Sequence, residues 1–139
     1  MQLEEVFTVH VTIGQTAELH REDGDSVVMI SFTGNVTGKY FQGEVLEGGV
    51  DTQIIGKNGD RHSLSARYML QGKDFTGEEC QIYIENNGDA RNKWKDALFR
   101  THPKMITNSR ALSFLNDDVY VAEGLPTELG VDIKIYRWV

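Results

Sequence analysis

This sequence is short of several features that give function away. Cys80 is the only cysteine in 139 residues, so no intrachain disulfide can form. That fits a reducing compartment, and the cytoplasm is the expected location. Two prolines leave almost every segment able to donate a full ladder of backbone hydrogen bonds. Positive charge is scarce: 14 Lys and Arg stand against 21 Asp and Glu, a net charge of −7. A general nucleic-acid binder needs a basic face, and an anionic membrane surface repels such a chain, so neither partner is expected. No apolar run approaches the roughly 20 residues of a spanning helix. Met1-Gln2-Leu3-Glu4-Glu5 has neither the basic region nor the apolar core of a secretory leader. Asn35-Val36-Thr37 is therefore read as a chance match to a glycosylation sequon. His10, His20, His62 and His102 are scattered, with no His-x-x-x-His or Cys-x-x-Cys spacing, and no metal is expected. Nucleophile elbows, phosphate-binding loops and dinucleotide fingerprints are missing too, and no cofactor is expected.

What the chain does have is alternation. Its length fits one domain, 1–139, large enough to bury a core of its own. Phe7, Val9, Val11 and Ile13 fall on one face of a run whose other face is Thr8, His10 and Thr12, the period of two of a strand. The same pattern predicts strands over 26–32, 40–46, 50–57, 62–70, 79–87, 119–123 and 131–138. Gly34, Gly38 and Gly43 fit the bends of a strongly curved sheet. Only Ala90 to Leu98 and Ser109 to Leu115 read as short helical turns, and turns so short depend on packing rather than propensity. Trp94, Phe114 and Trp138 are read as core by default, with barrel plugs or an oligomer surface as the alternatives. Cys80 shares the apolar face of its strand with Ile82 and Ile84 and is read as core. The class is all-β, a sandwich or closed barrel.

The informative stretch is Gly48 to Asn87. Asn58-Gly59 between two alternating runs predicts a hairpin with a tight type I′ turn. In the first strand Asp51, Gln53 and Ile55 share a face. In the second Ser63, Ser65, Arg67 and Met69 do, opposite Leu64, Ala66 and Tyr68. In the third Gln81, Tyr83, Glu85 and Asn87 oppose Cys80, Ile82 and Ile84. The polar faces have two readings. They form a solvated outer wall, or they line the barrel, where Asp51, Gln53, Arg67, Glu85 and Asn87 would converge on a small ligand. Straight counting from the turn puts Ala66 opposite Asp51. One bulged residue, for which Gly56 is a candidate, would bring Arg67 there instead.

An ordered set of short segments carries a resemblance. Leu46-Glu47-Gly48-Gly49-Val50-Asp51-Thr52-Gln53, Leu64-Ser65-Ala66-Arg67-Tyr68, Phe99-Arg100-Thr101-His102-Pro103, and Leu115-Asn116 before Val119-Tyr120-Val121-Ala122-Glu123-Gly124 resemble the family called domain of unknown function 3237, or uncharacterised protein family 0311. The likeness spans residues 6–139. It implies a single antiparallel β-barrel, calycin-like or allene-oxide-cyclase-like, and brings no chemistry, cofactor or catalytic residue. The family often has Trp where this chain has Thr52 and Asp where it has Ser65, so a ligand contact built from those positions would be altered here.

The leading functional expectation is a barrel binding a small amphipathic organic ligand. An alternative is a cofactor-free isomerase, cyclase or hydrolase-like enzyme, with Asp51 or Glu85 as general acid–base and Arg67 as an oxyanion or carboxylate clamp. A third is a ligand-free interaction module, acting through a homo-oligomer surface.

Overall fold

The computed structural model describes residues 2–59, 61–90 and 97–139. Nine strands account for most of them: β1 (Leu3–Leu19), β2 (Ser26–Thr37), β3 (Phe41–Val45), β4 (Val50–Ile55), β5 (His62–Asp74), β6 (Glu79–Asp89), β7 (Phe99–Thr107), β8 (Tyr120–Pro126) and β9 (Gly130–Trp138). All pairings are antiparallel, and the ladder β1-β9-β8-β7-β6-β5 returns to β1 through β2. The sheet is therefore a closed barrel, and the sandwich alternative falls away. It has eight staves rather than nine, because β3 and β4 share one. The C-terminal end of β2 and of β5 pairs with β3, and the N-terminal end of each pairs with β4. Between Val45↔Leu70 and Val50↔Arg67 the shared stave has four residues, 46–49, against two on β5. Gly48 absorbs the extra length with a φ of 106°, a conformation that glycine adopts without steric cost.

Strand alternation sorts the side chains. Leu64, Ala66, Tyr68 and Leu70 of β5 and Cys80, Ile82, Ile84 and Asn86 of β6 point inward and are buried. Phe7, Phe41, Leu70, Ile82, Tyr120 and Ile135 fill one end of the barrel together with Leu112 and Leu115, all almost fully buried. At roughly 1.5–3 kcal/mol per large apolar side chain, that end supplies much of the driving force for folding. It is closed by a 3-10 turn, Ser113–Asn116, shorter and later than the helical segment expected over Ser109 to Leu115. There Arg137 lies 4.2 Å from the Phe114 ring and donates to Glu4, which also accepts from Tyr40. Phe114 is thus a plug residue, while Trp138 is 42% exposed. The helical turn expected over Ala90 to Leu98, and Trp94 with it, lies for residues 91–96 outside the described residues.

Two more local expectations need correction. The β4–β5 connection is not a two-residue type I′ turn. Ile55 pairs with His62, Gly56 N–H donates to the Arg61 carbonyl, and Gly59 N–H donates to the Gly56 carbonyl. Among the described residues of the connection Gly59 alone takes a positive φ, 69°, and Asn58 does not, whereas a type I′ turn over Asn58-Gly59 needs both. The second correction is β7, a strand that the alternation of the sequence does not predict. Pro103 stands inside it, opposite Asn86 of β6. The β7–β8 ladder spans only Phe99 to Thr101, so past that point β7 pairs on one side and a proline is tolerated there. Among the described residues no helix is long and apolar enough to cross a membrane.

Candidate functional site

The half of the barrel away from the plug is different in kind. Its chemistry follows from one register. Because Ile55 meets His62 with no bulge, Asp51 pairs with Ala66 and Gln53 with Leu64. Those β5 residues face inward, so Asp51 and Gln53 do too. In the next ladder Ala66 pairs with Asn86. Asp51, Ala66 and Asn86 thus form one row across the inner wall, and the small Ala66 leaves space between the two polar side chains.

A chain of hydrogen bonds orients the carboxylate. His62 Nε2 lies 2.6 Å from Gln53 Oε1, and Gln53 Nε2 donates to Asp51 Oδ2 at 2.7 Å. The other oxygen, Asp51 Oδ1, is buried with no partner, as are the Tyr68 hydroxyl, Asn86 Oδ1 and the Thr101 hydroxyl. All four belong to inward-facing residues. Asp51 and Asn86 line a cavity with Val11, Ile13, Ile30, Phe32, Leu64, Ala66, Phe99, Val131 and Ile133. Burial holds the Asp51 carboxyl above its usual range, against the Gln53 hydrogen bond, the nearby His62 and a Ser65 backbone hydrogen bond, which pull it down. Burial, and then the charge of Asp51, push the Tyr68 hydroxyl far above its usual value, so it stays protonated.

The residues expected to converge here divide between the two faces. Asp51 and Gln53 are inside. Arg67, Glu85 and Asn87 are on the outer wall: Arg67 pairs with Glu85 in register and forms a 3.2 Å ion pair with it, with the Arg67 side chain 65% exposed. Asn87 is exposed and accepts from Ser65. The bulge that would have turned Arg67 inward is not there, so Arg67 cannot clamp a ligand in the barrel, and Glu85 cannot act as acid or base in it. Arg67→Ala is accordingly expected to shift stability by under about 1 kcal/mol in urea unfolding, the range of exposed ion pairs. A loss of several kcal/mol would contradict an outer-wall position. Thr52 and Ser65, the two departures from the family pattern, are cross-strand partners on this outer wall.

Four interior residues were not anticipated: His62, Tyr68, Asn86 and Thr101. The signal was available. Asn86 is in phase with the apolar Cys80, Ile82 and Ile84, and His62 with Leu64, Ala66 and Tyr68. A polar residue on the apolar phase of a strand is an interior polar group. Elsewhere, His10 lies between Asp132, at 2.9 Å, and Thr37, at 2.7 Å, on the outer face where β9, β1 and β2 adjoin. Among the described residues no group of three or more His, Cys, Asp or Glu could hold a metal ion.

Comparisons with a curated relative and with solved structures extend over nearly the whole chain. A UPF0311 protein of Clostridium acetobutylicum is 32% identical over 141 residues, covering 99% of this chain and 79% of the relative. A crystal structure of a protein of unknown function from that organism matches with a TM-score of 0.81 at 29% identity, covering 99% of this chain and 96% of the other. A β-barrel-like protein from Acinetobacter baumannii matches with a TM-score of 0.77 at 24% identity, over 98% of this chain and 94% of that one, a likeness of fold alone. The family model described as protein of unknown function DUF3237 matches residues 1–91, and with the full-length relative it shows that the chain belongs to that family.

Proposed function

We propose that the barrel binds a small amphipathic organic ligand at the end away from the plug. Its apolar body would lie against Phe32, Phe99 and Ile133, and its polar group would meet Asp51 and Asn86. The observation that carries this reading is the set of unpartnered buried oxygens on one inner wall. Leaving a buried polar group without a hydrogen bond costs about 1–3 kcal/mol, and a ligand atom in the cavity would relieve that cost. The cavity is small, about 40 Å³, where ligand pockets usually reach about 300 Å³ or more. Binding therefore requires side chains at the mouth to move. Ile13 lines the cavity and is 44% exposed, which makes it the first to yield.

The test is a titration with cyclohexanol, cyclohexanone and 1-naphthol, followed by amide chemical shifts. Shifts clustered at Ala66, Asn86 and Ile133 are expected. Ala66→Leu, which fills the space between Asp51 and Asn86, should weaken binding at least about tenfold while the dispersed spectrum of a folded barrel persists, since a methylene or two already overpacks a close-packed site. Shifts confined to outer-wall residues, or unchanged binding by Ala66→Leu, would rule the interior site out. A homo-oligomer surface is a compatible second reading, favoured by the outer cross-strand row Met69, Tyr83 and Ile106, in which Met69 is 41% and Ile106 52% exposed.

A further inference from the structure

We propose that Asp51 is the general base of a proton transfer on a carbonyl compound held in this cavity, with the Tyr68 hydroxyl as donor to the developing oxyanion. The proposal rests on the ligand-binding reading above and gives that site a substrate class: small cyclic ketones with an acidic α-hydrogen.

The two carboxylate oxygens of Asp51 are treated differently by the fold. Oδ2 is anchored by Gln53, whose own amide is oriented by His62. Oδ1 is buried, has no partner, and belongs to a residue lining an apolar cavity. A purely structural carboxylate has every reason to pair both oxygens, because an unpaired buried charge is costly. A general base needs this asymmetry: one oxygen fixes direction and the other offers a free lone pair. The charged and titratable side chains that act on Asp51 are His62 and Tyr68, both inward residues of the adjacent β5, and Arg67 and Glu85 lie outside. The donor for the second half of the step is Tyr68, which does not itself line the cavity but packs against Phe32, which does. Its hydroxyl is buried without an acceptor, within the electrostatic reach of Asp51, and its ring is held edge-on by Phe32 at 5.1 Å. A fixed donor in a water-poor site stabilises charge that develops during reaction better than it binds the neutral carbonyl.

The step balances without a co-reactant. Asp51 Oδ1 takes the α-proton and the C–H bond breaks. Its electron pair forms a carbon–carbon double bond, while the carbonyl π pair moves to oxygen, where it accepts a hydrogen bond from Tyr68. The acid formed on Asp51 swaps its proton with solvent and then protonates the α-carbon, giving exchange. In a β,γ-unsaturated ketone it protonates the γ-carbon, giving the conjugated isomer.

Two probes test this on the intact chain. Cyclohexanone in deuterated buffer reports α-deuteration by proton NMR, and 3-cyclohexen-1-one reports conversion to 2-cyclohexen-1-one by ultraviolet absorbance. The wild-type protein is expected to accelerate both. Asp51→Asn should lower the protein-dependent rate at least about 100-fold, the usual contribution of a positioned base. Tyr68→Phe should lower it by roughly 100–1000-fold, the loss seen for one oxyanion donor. Rates are compared at saturating ketone, and the outer-wall Arg67→Ala should react as wild type. Ketones that bind with neither exchange nor isomerisation, or an Asp51→Asn variant as fast as wild type, overturn the proton transfer and leave the ligand-binding reading standing. Binding of cyclohexanol with no binding of either ketone overturns the ketone assignment in the same way. No interior shifts with any probe overturn both.

Discussion

Gly72→Ala is expected to destabilise the barrel by about 3 kcal/mol or more, at the upper end of what overpacking costs, and to lower its melting midpoint by roughly 10 °C. Gly72 of β5 pairs with Gly43 of β3 on one side and Cys80 of β6 on the other. A Cβ added at Gly72 would lie 2.1 Å from the Gln42 carbonyl oxygen and 2.6 Å from the Gly43 Cα. Both are backbone atoms, so no side chain can swing aside. The strands must separate, and the β3–β5 ladder from Phe41 to Val45 loosens. The effect is close approach rather than backbone conformation, since Gly72 is not among the positive-φ glycines. Gly59 supplies the contrast, with a positive φ and nothing within 4 Å of an added Cβ. Gly59→Ala should therefore cost only about 1 kcal/mol. Equal effects of the two substitutions, measured in urea, would show that the β3–β5 contact is not the constraint.

Tyr68→Phe and Thr101→Val are expected to do the reverse, each stabilising by about 1 kcal/mol, because each removes a buried hydroxyl without a partner and keeps the shape of the side chain. Asp51→Asn should add to them in a pH-dependent way. Burial raises the Asp51 pKa above 3.8 in the folded chain. Its contribution is then most favourable below that unfolded value and is lost as pH rises through the folded one. Wild-type stability should fall over that interval, and the fall should be absent from Asp51→Asn. The same substitutions are expected to weaken function, the usual exchange between stability and a strained site. Destabilisation by both Tyr68→Phe and Thr101→Val in thermal melts would mean that those hydroxyls are satisfied, and would remove the main support for the site.

Much of the architecture was legible because a half-buried strand writes its burial in alternate residues. Leu64, Ala66, Tyr68 and Leu70 marked the apolar face of β5, though not that this face turns inward, and the family segments pointed to a barrel. The site was legible only in part. Alternation sorts the two faces of one strand but does not match them to those of its neighbour. That match is set by connection length, and at Gly56–Arg61 it makes Ala66, not Arg67, the partner of Asp51. One residue of register moved Arg67, Glu85 and Asn87 from the expected cavity to the outer wall. Asn86 was hidden for a related reason, since it looked like the polar end of a strand whose interior phase continues through it. β7 was not legible because its proline argues against a strand, and only the early departure of β8 makes that proline harmless.

The pairing of β1 with β9 has a consequence for synthesis. Leu3 meets Trp138, so the two staves that complete the ring lie at opposite ends of the 139 residues. While the ribosome is still making β9, β1 has only β2 beside it, and its other edge remains an open template for hydrogen bonding. Closure waits for β9 to emerge, and contacts so distant in sequence form slowly, on the millisecond-to-second scale of β-rich domains. The nascent chain is therefore most exposed to mispairing, and most in need of chaperones, in the interval just before its ninth strand appears.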